Sequence, residues 1–263
     1  MTATLRRLVV VLTLLRPLAG WAQSAPNPFG ESWIRFSGAA AGVTNGYGDW
    51  ASLGFRAAVI AGPRDLVLGE ARWQRAFGDR GVYAGGGLRH AFGPKWFTTT
   101  TVGGGTGRFA LPDLRFDASV HRKLAPRDRV LLTAGFTTTR SKDVYHDRSA
   151  FGSLAVYGNG VVAEGGVRIN WSNPGNSRST RGFGALTVGR AGERYVVVRG
   201  SAGREGYQLL GTAPTLREFA SQEVAVEYEE WLGRRTSLIL GVDYYHNPFY
   251  RRTGGSLGVA RHW

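Results

Sequence analysis

From Glu31 onward the chain is a succession of short runs in which apolar and polar residues alternate one by one. A period of two places successive side chains on opposite faces of a strand, whereas a helix would repeat near 3.6. In Leu114–Leu124, Leu114, Phe116, Ala118 and Val120 oppose Arg115, Asp117, Ser119 and His121. In Gly160–Ser172, Val161, Ala163, Val167, Ile169 and Trp171 oppose Glu164, Gly166, Arg168 and Asn170. Val224, Val226 and Tyr228 oppose Glu223, Ala225, Glu227 and Glu229, and Leu238, Leu240, Val242 and Tyr244 oppose Ser237, Ile239, Gly241 and Asp243. The last run, Gly254–Trp263, sets Leu257, Val259, Arg261 and Trp263 against Ser256, Gly258, Ala260 and His262.

Each run is about 10–13 residues long, the length of a tilted strand crossing a bilayer. The runs are Trp33–Gly42, Trp50–Ile60, Leu66–Phe77, Gly81–Phe92, Trp96–Gly107, Leu114–Leu124, Arg129–Arg140, Arg148–Tyr157, Gly160–Ser172, Arg181–Arg190, Arg194–Gly203, Phe219–Leu232, Thr236–His246 and Arg251–Trp263. Tight links such as Gly93-Pro94-Lys95 and Gly158-Asn159 carry turn chemistry. Longer links are expected at Thr44–Gly48, Ser141–Asp147, Asn173–Thr180, Arg204–Glu218 and Asn247–Tyr250. Short turns on one side and long loops on the other are the habit of outer-membrane barrels. The expected fold is therefore all-β: a single antiparallel transmembrane β-barrel over residues 33–263, with about fourteen strands and twelve as the next reading.

A soluble sandwich would alternate too, with its apolar face inward. Two features favour the membrane. Aromatics stand at run ends (Trp50, Trp73, Phe92, Trp96, Trp171, Trp231 and Trp263) as interfacial girdles require. The polar face also carries charge of both signs in mid-strand, which at bilayer depth must point inward. The expected lumen-lining set is Arg35, Arg56, Glu70, Arg72, Arg89, Arg115, Asp117, Glu164, Arg168, Arg199, Glu223, Glu227 and Asp243. Glu70 is expected near Arg72 and Arg89, and Arg199 near Glu223 and Glu227. This set reads either as a structural ladder of ion pairs or as a polar path or binding surface for a charged glycan.

Arg6 and Arg7, the apolar run Leu8–Leu15 and the small-residue pattern Gly20-Trp21-Ala22 read as a secretory signal over residues 1–22, followed by a flexible lead-in over 23–32. The 263 residues include 39 Gly, no Cys and 43% hydrophobic residues. Without Cys there is no disulfide framework and no thiolate metal site. The formal charge of +14 raises nucleic acid as a partner. The basic residues are spread through strands and turns instead of forming one stripe, so no nucleic-acid partner is expected. Outer-membrane lipid and lipopolysaccharide account for the charge more simply.

No cofactor, metal or catalytic residue is expected. His146 and Ser149 are close in sequence, yet spacing three on a strand points them to opposite faces. His121 and His262 read as lumen or interface residues, and scattered histidines give no metal spacing. Gly85–Gly87 and Gly103–Gly105 lack the helix and the Lys-Ser/Thr of a phosphate loop and suit close strand packing.

A strand that closes the chain on an aromatic resembles the last strand of bacterial outer-membrane barrels. Leu111-Pro112-Asp113-Leu114-Arg115-Phe116, the hairpin through Phe136, and Tyr157 with Ala163-Glu164-Gly165-Gly166-Val167-Arg168 resemble the YaiO family of outer-membrane β-barrels. The likeness runs loosely from Tyr47 to Trp263. It implies an integral outer-membrane barrel, in or beside exopolysaccharide export and biofilm systems, with polysaccharide or export-system proteins as partners. The alternative is a structural barrel with a salt-bridge-filled lumen and partner-binding loops. The family implies no agreed catalytic residues, and the chain carries no tetratricopeptide region ahead of the barrel.

Overall fold

The computed structural model describes residues 31–124, 128–142, 145–208 and 216–263. The signal segment and nearly all of the expected lead-in lie outside them. Fourteen strands form one closed antiparallel barrel, each pairing with its sequence neighbour and β1 with β14. They are β1 (Trp33–Val43), β2 (Trp50–Ile60), β3 (Asp65–Ala76), β4 (Asp79–Ala91), β5 (Trp96–Gly105), β6 (Leu114–Leu124) and β7 (Val130–Arg140), followed by β8 (His146–Tyr157), β9 (Val161–Asn173), β10 (Ser177–Arg190), β11 (Arg194–Gln208), β12 (Leu216–Trp231), β13 (Thr236–His246) and β14 (Arg251–His262). Closure leaves no edge strand, so the described strands satisfy one another's backbone groups as a bilayer demands. Ser32 continues the ladder: its N–H donates to the Trp263 carbonyl at 3.1 Å and its carbonyl accepts from Trp263 N–H at 2.9 Å. The sheet thus begins one residue before its expected boundary, and Ser32 and Trp263 lie at one rim.

The register sorts the two faces. Phe36, Leu53, Val102, Val167, Val242 and Val259 stand outward and exposed, forming an apolar belt. Their neighbours in sequence face inward. Trp73, Phe92, Trp96 and Trp263 are exposed near strand ends, where amphipathic rings meet the headgroups. Trp50 and Trp231 do not belong to this girdle. Trp50 pairs with Ala41 on the inner face and is 4% exposed, and Trp231 pairs with inward Ser237. A tryptophan at a run end has its face set by register, and end position alone does not reveal that.

Two expected loops are largely strand. β9 and β10 close to within residues 174–176, and β11 and β12 continue to Gln208 and from Leu216. Their extensions have no apolar face: Arg178 and Thr180 alternate with Ser179 and Arg181. The backbone ladder continues past the greasy band even where side chains stop advertising it. The turn between β3 and β4 has only two residues, Phe77 (φ 54°) and Gly78 (φ 75°), and positive φ at both positions matches the strand twist. One loop went unrecognised in the alternation. Residues 106–113 fold inward at the far rim, with Leu111 2% exposed. Asp79 Oδ2 accepts the backbone N–H groups of Arg108, Phe109 and Ala110 at 2.9, 2.9 and 3.0 Å.

Glycines on the inner wall make room for rings from the next strand. A Cβ on Gly135 would lie 2.3 Å from Phe151 Cε1, and one on Gly166 would lie 2.4 Å from Phe183 Cζ and 2.5 Å from the Gly152 carbonyl oxygen. Rings laid flat over glycine cover bare backbone. Gly166→Leu has both a ring and a carbonyl in its way, and overpacking of this kind costs about 1–3 kcal/mol. The variant should unfold at lower urea in lipid vesicles than the parent; an unchanged midpoint would show that the wall yields freely.

Candidate functional site

Pairing register puts every expected lumen residue on one face. Arg35 is opposite Arg56, and Arg56 is opposite Glu70. Glu70 leads through Gly85 and Gly103 to Arg115. Arg72, Arg89, Asp117, Glu164, Arg168, Arg199, Glu223, Glu227 and Asp243 share the parity of these positions. That face is the interior: Arg35 on β1 donates to Glu227 on β12 at 2.8 Å, reaching past β14 and β13.

The charged groups pair mainly across strands. Glu227, 4% exposed in its side chain, holds Arg35 and also lies 4.0 Å from Arg199. Arg252 binds Glu223 at 2.9 Å and Asp243 at 3.1 Å, and stacks on Trp50 and Tyr245 with its guanidinium carbon 4.7 and 5.3 Å from the ring centres. Arg181 pairs with Glu205 and lies 3.9 Å from Glu223. Arg115 makes a two-point contact with Asp117 at 2.8 and 2.9 Å, the fork geometry that suits a guanidinium. Glu229 accepts from Ser237 at 2.6 Å and from the Tyr195 hydroxyl, with His262 at 3.7 Å.

Register sorts the expected neighbours. Glu70 acts on Arg72, two residues along its own strand, and lies 3.8 Å from Arg56, which stands directly opposite it; Arg89 lies further along the strands, donating to Thr99 at 3.3 Å over the Phe97 ring. Glu223 pairs with Arg252 and Arg181, leaving Glu227 to Arg199. Strand order alone orders neighbours, whereas register decides which acid meets which base. Glu164 faces inward between Ala155 and Ala185.

Arg181, Glu205, Glu229 and Arg252 were missing from the expected set. They lie near strand ends, where a charge reads as turn chemistry. Extending the alternation back from Ser256 and Gly254 reaches Arg252, and that was the available signal. His146 is exposed on the outer face of β8 while Ser149 is inward and accepts from Arg168 at 2.9 Å. His121 is inward, stacked on Phe97 at 4.3 Å and bonded to Ser119 and Thr133.

Above this layer the far rim narrows over aromatic rings. Phe77 of the β3–β4 turn contacts Tyr47 at 6.3 Å, Trp50 at 4.7 Å and Tyr250 at 5.8 Å. Tyr250 packs on Tyr47 and Tyr245 at 5.4 Å each. Three hairpins therefore lean inward onto one cluster.

The description "YaiO membrane beta barrel domain" matches residues 34–208. Among solved structures, the CymD monoaromatic hydrocarbon channel is similar at 5% identity, with 89% of this chain and 88% of that chain covered and a TM-score of 0.60. A bacterial polysaccharide outer membrane secretin is similar at 8% identity, covering 89% and 99%, with a TM-score of 0.55. Omp33 of Acinetobacter baumannii is similar at 10% identity, covering 89% and 99%, with a TM-score of 0.51. At these identities the likeness is one of fold. No curated relative matches the sequence.

Proposed function

Because the chain belongs to the YaiO family of membrane β-barrels and lies in the outer membrane, we propose that its lumen is a narrow polar path through which a hydrophilic polymer, such as an exported exopolysaccharide, is passed or guided at the cell surface. One observation carries this reading. Around the buried Arg252, Asp243 and Glu227, the other lumen charges stay partly open: Arg56, Arg115, Arg181 and Arg199 keep 33%, 21%, 17% and 21% of their side-chain surface, and Glu70, Glu205 and Glu223 keep 20%, 23% and 21%. A dry plug would close over such groups and strip them of hydration, a loss that an ion pair in a low-dielectric interior seldom offsets. Basic outward residues near strand ends, among them Arg75, Arg148 and Arg261, would meet anionic headgroups and lipopolysaccharide.

The aromatic cluster at the far rim supports a second reading, a barrel held shut that serves as a structural or interaction element. Planar-bilayer recording separates the two. Steady current from the purified protein supports a path, and silence supports a closed barrel. Replacing Arg72, Arg168 and Arg199 together by Ala clears bulk from the lumen while Arg35 still holds Glu227, so conductance should rise severalfold. An unchanged current would place the restriction elsewhere.

A further inference from the structure

We propose that the lumen carries an anion subsite built on Arg72, Arg168 and the intervening Arg115, taking carboxylated or otherwise anionic saccharide units. This rests on the reading of the lumen as a path and names the class of cargo. Four lumen acids, Glu205, Glu223, Glu227 and Asp243, lie on β11–β13 and engage Arg181, Arg252, Arg35 and Arg199, while on the other arc Glu70 lies against Arg56 and Asp117 against Arg115, with Glu164 on β9. Arg72 and Arg168 stand on the other arc, on β3 and β9, with Arg115 midway on β6. Contacts link the three along one stretch of wall: Arg72 lies over the Tyr83 ring, whose hydroxyl overlies Gly103 opposite Arg115, and Arg168 donates to Thr137, which donates to the Asp117 that Arg115 binds. Among the described residues, Arg115 alone of the three has a carboxylate in ion-pair contact, Asp117.

Arg168 is held by neutral groups: it donates to Ser149 at 2.9 Å and to Thr137 at 3.5 Å and covers the Phe151 ring at 4.7 Å. Arg72 lies over the Tyr83 ring at 5.8 Å, and its Nε is buried with no hydrogen-bond partner among the described residues. A guanidinium donor shut away from water and left unbonded is a standing cost that an arriving oxyanion relieves. Glycines at 85, 103 and 105 keep the wall between β3 and β6 low, and the Tyr83 ring lies flat across it. A Cβ on Gly103 would meet the Tyr83 hydroxyl at 2.3 Å. Cationic forks beside a ring and hydroxyls are suited to a carboxylate borne on a sugar ring.

The test is calorimetric titration of the full barrel in detergent micelles with a hexameric oligogalacturonate, and with maltohexaose as the neutral probe. The acidic probe should bind with an affinity that falls as salt rises, and the neutral one should not bind measurably. Arg72→Gln with Arg168→Gln should weaken the acidic probe by at least about tenfold. Neither change strips an acid of an ion-pair partner, since Glu70 keeps Arg56 at 3.8 Å and Asp117 keeps Arg115. Arg168→Lys keeps the charge and should retain most of the binding. Equal binding of both probes, no binding of the acidic one, or undiminished binding by the double Gln variant would overturn the subsite. Bilayer recording is independent of this outcome. A silent barrel that still binds the acidic probe sinks the path and keeps the subsite, and a conducting barrel that binds neither does the reverse.

Discussion

Arg252→Met is expected to destabilise the barrel by about 3–5 kcal/mol, the usual consequence of removing one member of a buried ion group. Arg252 and Asp243 each expose 2% of their side chains, and Glu223 exposes 21%. Methionine fills much of the same space between Trp50 and Tyr245, so the main loss is charge. It leaves Asp243 without its guanidinium and near Glu223, which retains only the longer contact to Arg181 at 3.9 Å. Two carboxylates in a confined site repel, and one must be protonated or hydrated for the barrel to hold. The effect should appear as a lower urea midpoint in vesicles and as loss of the heat-modifiable compact form on gels. Adding Asp243→Asn should recover most of the loss, because the carboxylate that lost its guanidinium is then neutral. A single variant within about 1 kcal/mol of the parent would mean that water reaches this cluster freely.

The same cluster shows what could be read from the chain unaided. Asp243 and Glu223 were visible as inward charges, since each interrupts an otherwise apolar alternation in mid-strand. Arg252 was not, because the second residue of a strand beside a turn carries no alternation to violate. The strand count and the two faces were legible for the same reason: hydrophobic neighbours on the lipid side mark every other position. Where that side is polar, as in Ser177–Thr180, the strand became invisible although its hydrogen bonds persist. Trp50 and Trp231 failed differently. Both sit at strand ends as a girdle requires, and only the pairing partner decides that they turn inward. Ion-pair partners belong to the same class of information, since one residue of register changes every cross-strand contact.

The second large effect concerns the outer face. Val242 and Asp243 are adjacent on β13, yet Val242 is 60% exposed and Asp243 is 5% exposed. In water such exposure of an apolar residue would be a liability; against acyl chains it is the stable arrangement. Val242→Arg should therefore cost about 2–4 kcal/mol, the penalty for a guanidinium near the bilayer midplane on the lipid face. The chain supplies its own control. Outward arginines do occur, at Arg75, Arg122, Arg148 and Arg261, all near strand ends; Arg122 lies over Trp96 at 5.0 Å, where headgroups can solvate it. Leu238→Arg, close to the start of the same strand and on the same face, should accordingly cost only about 0–1 kcal/mol. Equilibrium urea unfolding of the two variants in vesicles measures the difference directly. Equal costs at the two depths would mean that no hydrocarbon surrounds Val242, and the outward belt would then need a protein partner in place of lipid to cover it.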